Sequence, residues 1–284
     1  MSKVDLHMHS TASDGTDTPE ELLKNIRQNG ITVFAVTDHD TIEGAMQMEK
    51  LTHDGVTFIR GIEFSCKAPS GKCHIVGLDY DPQNEDFIKA IEMGRNLRKE
   101  KYETRLSFLQ NEIKVPFTEE ELAELRRMTS VGKPHLANIM VEKGFAVDKQ
   151  DAIKNYIEKC PTKSMRIAAE IAVKAIRSAG GTPVWAHPLG GEGEKTISED
   201  QFKAVLEELA GYGLRGIECY YSKYSMPQAE WLAGIAHERD LLISGGSDYH
   251  GKNKTIPLGK LNQDNEEITA KKLTVLRPIL ERRA

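Results

Sequence analysis

Six of the nine histidines in this 284-residue sequence fall at or near the end of a β-prone run, with carboxylates close by. The clusters are Asp5-Leu6-His7-Met8-His9 with Ser13-Asp14-Gly15, then Thr37-Asp38-His39-Asp40, Gly61-Ile62-Glu63, Cys73-His74-Ile75-Val76, Ala186-His187-Pro188 and Gly246-Ser247-Asp248-Tyr249-His250. Neutral imidazole and carboxylate are the donors that hold borderline divalent cations. One histidine near a strand is usually a hydrogen-bonded core residue, and His53 and His237 fit that description. Six such histidines, with Asp14, Glu63 and Asp248 also falling just after predicted strands, point instead to a polynuclear metal site.

Alternate residues of a strand share a face, so His7 and His9 can bind one ion, with Glu63 and Asp248 completing it. Glu63 has a second oxygen to bridge to a neighbour. His74 and His187 suit a second ion; Asp14, His39 and His250 suit a third. The chemistry expected is hydrolysis by a metal-bound hydroxide held by Glu63, His187 and Asp248, because bound cations acidify water to near neutral pH. No Gly-x-Ser-x-Gly elbow is present and the cysteines lack a nucleophile setting, so no covalent intermediate is expected.

These clusters need a scaffold that brings strand ends together. The first 80 residues alternate strand and helix: strands at 4–6, 31–36, 56–62 and 74–78, with helices opening at Thr18-Pro19-Glu20-Glu21 and at Thr41. From about Gln83 to Ala169 the strand signals disappear and charged helices follow one another, one opening at the capping box Thr118-Glu119-Glu120-Glu121. The strand–helix rhythm then resumes, with strands at 183–186, 215–220 and 241–244. About seven strands in a largely parallel sheet, interrupted by an inserted helical subdomain, place the carboxyl ends of the strands on one face, where α/β barrels carry their sites.

The net charge of −5 and pI near 6.0 argue against long nucleic acid as partner, but allow a small phosphorylated substrate, since bound cations reverse the local field. Cys66, Cys73, Cys160 and Cys219 form no CxxC pair and read as reduced thiols of a cytoplasmic protein. No long apolar run or signal segment indicates a membrane or export. The sequence leaves the oligomeric state open.

Taken in order, Asp-Leu-His-Met-His-Ser at 5–10, Ser-Asp-Gly at 13–15, Thr-Asp-His-Asp at 37–40, Gly-Ile-Glu at 61–63, His-Ile-Val-Gly at 74–77, Ala-His-Pro at 186–188 and Gly-Ser-Asp-Tyr-His at 246–250 resemble the PHP (polymerase and histidinol phosphatase) family over nearly the whole chain. The resemblance implies an α/β fold, a distorted (β/α)7 barrel over 1–82 and 166–284, with the inserted helical subdomain at 83–165. It implies three divalent cations, manganese or iron foremost and zinc as the alternative, on the nine donors named above, and hydrolysis of a phosphate ester.

Among standalone PHP enzymes, one group removes the 3′-phosphate of nucleoside 3′,5′-bisphosphates and trims short RNA from its 5′ end; another opens a cyclic phosphate of ribose 5-phosphate. Lys133 and His135 occupy the place where such enzymes carry a basic residue and histidine, and are assigned to substrate phosphate; Arg166 shares the developing charge. This chain departs from the bisphosphate group, with Leu189-Gly190 after Ala-His-Pro where that group has Gly and Arg, and Asn138 where it tends to carry Arg. Tyr220, Tyr221, Lys223 and Tyr224 offer a substitute, with Tyr221 and Lys223 as substrate contacts. The expectation therefore leans to a cyclic phosphodiester such as phosphoribosyl 1,2-cyclic phosphate, with the bisphosphate as alternative. Amide or lactone hydrolysis and a noncatalytic accessory module are the remoter rivals.

Overall fold

A computed structural model describes residues 3–162, 165–192 and 196–283. Seven strands form the wall of a nearly closed barrel: β1 (Val4–Asp5), β2 (Val33–Val36), β3 (Thr57–Ala68), β4 (Gly71–Leu78), β6 (Thr182–Ala186), β7 (Gly216–Tyr221) and β8 (Leu242–Gly246). A short β5 (Ile167–Ala168) pairs with the far end of β3. The seam closes where Leu6 N donates to Gly245 O at 3.1 Å and Asp248 N donates to His7 O at 2.8 Å. Gly246 is required at this seam, since a Cβ there would lie 2.2 Å from that of His7.

Local sequence explains the flanking helices. Thr18 caps α1 (Pro19–Gln28) in a reciprocal box with Glu21, and Pro19 sits in the first turn. Leu22, Leu23 and Ile26 bury its apolar face. α2 (Glu43–Met48), α7 (Ala169–Ser178), α8 (Glu199–Tyr212), α9 (Met226–Glu238) and α10 (Leu276–Arg283) complete the barrel's helices. Between β4 and β5 come α3 (Glu85–Asn111), α4 (Glu119–Arg127), α5 (Lys133–Glu142) and α6 (Lys149–Asn155). These four share an apolar cluster of their own, with Leu109, Leu125, Leu136, Met140 and Ile157 at its centre. Lys163 and Ser164, at the end of the expected insertion, lie outside the described residues, as do Met1 and Ser2.

The sheet is less parallel than the rhythm of the sequence implies. β3 continues six residues past Ile62, turns at Pro69-Ser70, and returns as the antiparallel β4, which also runs antiparallel to β6. A two-residue turn leaves no room for a crossover helix, so the pair is a hairpin. The reversal decides where His74 sits. It lies near the start of its strand, paired opposite Ser65, and the starting end of β4 adjoins the finishing ends of its neighbours. No helix among the described residues is long and apolar enough to cross a membrane.

Candidate metal centre

Glu63 is the hub of the cluster. It is fully buried in β3, and its two oxygens divide the imidazoles between them. Oε1 lies 2.7 Å from His74 Nδ1 and 3.0 Å from His187 Nε2. Oε2 lies 2.9 Å from His39 Nδ1, 3.3 Å from His9 Nε2 and 3.4 Å from His7 Nε2. Asp248 Oδ1 approaches the same two strand-end rings, 3.3 Å from His9 Nε2 and 3.6 Å from His7 Nε2. Asp14 Oδ1 is 3.3 Å from His250 Nε2 and 3.8 Å from His39 Nε2. Thus all nine donors expected from sequence converge. Three overlapping groups have ligand atoms within 4.8 Å of one another: His9, Asp14, His39 and His250; His7, His9 and Glu63; His39, Glu63 and His74. His39 faces both Glu63 and Asp14, so it stands between two of the positions that the sequence kept apart.

The donor atoms suit cations. Nε2 of His7, His9 and His74, Nδ1 of His39, Oδ1 of Asp14 and Oε2 of Glu63 are buried without a hydrogen-bond partner, and buried polar atoms are rarely left so. Burial works against charge on Glu63, yet His39, His74 and His7 hold its carboxyl well below the ordinary range. Asp14 is likewise kept ionised against burial by His39 and His250, and Asp248 by Lys254 and His250. Burial pushes His39 down to about 3 and lowers His74 and His250, which leaves them neutral and able to ligate. His7 and His9 go the other way. Burial opposes their charge, but Glu218 and Glu63 raise His7, and Asp248 and Glu63 raise His9 to about 9. Cation binding at these two rings must displace a proton.

The supporting residues are mostly backbone-directed. Asp38 accepts from Ser10 N at 2.8 Å, Ser10 Oγ at 2.7 Å and Ser13 Oγ at 2.6 Å, and so folds the loop that presents Asp14. Asp5 accepts from Ser247 N and Gly259 N at 2.9 and 2.8 Å, tying β1 to the Asp248 loop. His187 and Asp248 themselves have left-handed backbones, with φ of 31° and 60°, a conformation disfavoured for both types and held by the surrounding loops. Two participants escape the sequence reading. Glu218, in the middle of β7, places Oε1 2.9 Å from His7 Nδ1, and its Oε2 accepts from His187 N at 2.7 Å. Its signal was a lone carboxylate inside the apolar run Ile217-Glu218-Cys219-Tyr220. Lys254 Nζ lies 2.6 Å from Asp248 Oδ2.

The residues assigned to substrate are placed differently. Tyr221 is buried beneath the cluster, where its hydroxyl donates to Asp248 Oδ2 at 3.0 Å and accepts from Glu192 N at 2.9 Å. The tyrosine hydroxyl is therefore engaged with a carboxylate of the cluster. Lys223 pairs with Glu192 at 3.0 Å, and Lys133 with Glu158 at 2.5 Å. His135 Nδ1 accepts from Gly132 N at 2.9 Å, capping α5, so that ring nitrogen is already engaged. Arg166 is the exception: its Nη1 is buried without a partner, and its charge is felt at His74.

A barrel whose strand ends converge on such a cluster is the architecture of a metal-dependent phosphoesterase, and comparison with known proteins agrees. The PHP domain matches residues 5–167, and the chain belongs to the PHP family. It is 31% identical over 264 residues to a 5′-3′ exoribonuclease of Haemophilus influenzae, covering 91% of this chain and 93% of that one. It is 29% identical over 263 residues to a phosphoribosyl 1,2-cyclic phosphate 1,2-diphosphodiesterase of Eggerthella lenta, 89% and 96% of the two chains. A 3′,5′-nucleoside bisphosphate phosphatase of Chromobacterium violaceum is 27% identical over 256 residues, 88% of each. A crystal structure from Bifidobacterium adolescentis, described as a metal-dependent phosphoesterase, superposes with a TM-score of 0.77 at 27% identity over 98% of this chain and 96% of that one.

Proposed function

We propose that the chain hydrolyses a phosphate ester on a small phosphorylated ribose or nucleotide. The observation that carries this reading is the third donor group, Asp14, His39 and His250, set beside the Glu63 hub. One cation suffices to activate water; further cations beside it suit a substrate that brings several negative oxygens. His7, His9, Glu63 and Asp248 would hold one cation, His74 and His187 with Glu63 a second, and Asp14, His39 and His250 a third. Manganese or iron is the expected metal. Bound there, the cations would supply Lewis acidity to a water and to the phosphoryl oxygens. Glu63, His187 and Asp248 position the reacting centre, and the neighbouring buried Lys254 offsets negative charge at Asp248.

Between substrates, the balance shifts from the cyclic diester toward the nucleotide. The tyrosine loop that favoured the cyclic ester is occupied in holding residues 189–192: Leu189 N donates to Tyr224 Oη at 2.8 Å and Glu192 N to Tyr221 Oη. The cyclic ester stays as the second reading because the Eggerthella relative of that name aligns over 89% of the chain. The test is turnover with manganese supplied, read as phosphate release from adenosine 3′,5′-bisphosphate, ring opening of ribose 5-phosphate 1,2-cyclic phosphate, mononucleotides from short 5′-phosphorylated RNA and amine release from a panel of amides. Preference for the bisphosphate or RNA supports the first reading, and preference for the cyclic ester the second. Turnover of amides alone overturns both.

A further inference from the structure

One face of α3 presents three cations in succession. Arg98, Lys101 and Arg105 stand at helical spacing on it, and Arg166, just before β5, meets them from the barrel side. Gly94 lets the helix approach, since a Cβ there would lie 3.0 Å from Asp40 Oδ1. Asp40, Ser65, Gly94, Leu97, Arg98, Lys101, Met165, Arg166 and Ile167 enclose a small cleft. Asp40 is the carboxylate within it, and it is already engaged: it accepts from Arg98 Nε at 3.1 Å and from Ser65 N at 3.0 Å. Glu158, near Arg105, is held by Lys133. Arg105 Nε and Arg166 Nη1 remain buried without a partner. Burial and the three neighbouring guanidinium groups push Lys101 down to about 6. Such a convergence is costly unless an anion completes it.

The cleft is placed to serve the metal centre. Ser65 lies two residues beyond Glu63 on the same face of β3, about 7 Å along the strand by its rise per residue. The charges of Arg98 and Arg166 are felt at His39 and His74. That span corresponds to one sugar ring. We propose that Arg98, Lys101 and Arg166, with the charge of Arg105 behind Lys101, form a subsite for a second, non-scissile phosphate of the substrate, carried on the far side of the ribose. The inference rests on the phosphoesterase reading and deepens it. As it stands the cleft admits a single water-sized atom, about 10 Å³, so Lys101, on its flexible stem, is the group that moves aside. The cations absent at Leu189-Gly190 and Asn138 are supplied here.

The test is calorimetric binding of ribose 5-phosphate to the manganese-loaded protein, with ribose and inorganic phosphate as controls, in the wild type, Lys101→Met and Arg166→Gln. Lys101→Met removes the buried amine while keeping the stem, so it keeps the fold; melting temperature and metal content verify this for both variants. The expected result is binding of ribose 5-phosphate but not ribose, weakened at least tenfold in each variant with metal content unchanged. Unchanged affinity in the variants places that phosphate on the metal cluster and overturns the subsite, as does absence of binding to the wild type. Equally tight inorganic phosphate, lost in the same variants, assigns the cleft to free phosphate and also overturns it. Binding as expected, with no turnover of any phosphate ester, refutes the phosphoesterase reading and leaves the anion subsite standing.

Discussion

Glu218 holds His7 from behind: its Oε1 lies 2.9 Å from His7 Nδ1, with both side chains buried, while the opposite ring nitrogen faces Glu63 and Asp248. A carboxylate on the outer nitrogen fixes the ring and raises its basicity as a ligand. The same carboxylate accepts from His187 N, so one residue of β7 orients parts of two clusters. Glu218→Ala is expected to lower metal affinity by about 10- to 100-fold, read by competition with a chromogenic chelator. Wild-type affinity in that variant would show that the ring is fixed by packing alone.

Glu63→Gln should be more severe. The amide keeps the shape but offers one neutral oxygen and an NH2 among five imidazoles, and a bridge cannot form without the charge. Metal stoichiometry by atomic emission should fall and turnover should be lost. Full metal content with full activity refutes the bridging role.

Removing the metals should destabilise the fold. With the cations gone, the cluster leaves buried carboxylates and unpartnered ring nitrogens facing one another. Each site bound at 100 times its dissociation constant contributes about 2.7 kcal/mol by mass action. Chelator-treated protein should therefore melt at lower temperature and recover when manganese is restored. An unchanged melting temperature would count against native metal binding at this cluster.

Lys101 gives a pH prediction with a definite sign. Its folded pKa, about 6, lies below its ordinary value of 10.5. Between those values the unfolded chain binds more protons than the folded one, so stability rises with pH across that window. The penalty is complete below about pH 6 and fades toward pH 10. Lys101→Met should thus be more stable than wild type at pH 6, with the gap narrowing by pH 9, in paired thermal melts without phosphate. A gap independent of pH would mean that the lysine is not charged at a cost.

What the sequence disclosed was governed by short-range rules. His7-x-His9 reads as one face because a strand alternates, and the Thr18 and Thr118 boxes mark helix starts because their donors lie three residues away. Long-range facts were hidden. Nothing local shows that β4 runs backward: the sequence marks a strand from His74 in a largely parallel sheet, whereas β4 starts at Gly71 and runs antiparallel to both neighbours. Glu218 was passed over as one polar residue in an apolar strand, since its partner lies 211 positions away. Arg98, Lys101 and Arg105 lie in a stretch legible only as charged helix, and the close approach at Gly94 that brings their face against the barrel is not a local feature. Tyr221 shows the same limit: a tyrosine at a strand end advertises a ligand contact, and its bond to Asp248, 27 positions away, is not visible locally.

The four-helix block is fastened to the loops that carry ligands. Ser130 Oγ donates to the His39 carbonyl at 2.9 Å, Gly132 packs against Asp14, and Lys149 reaches Asn253, whose amide holds the Asp14 carbonyl. Every one of these ties ends on one corner of the centre, the corner of Asp14, His39 and His250. The opposite corner, His7 with Glu218, is anchored in the sheet. The cations would therefore not exchange as equals: breathing of the helices would loosen the ion at the tied corner first, while the ion on the sheet side stayed in place.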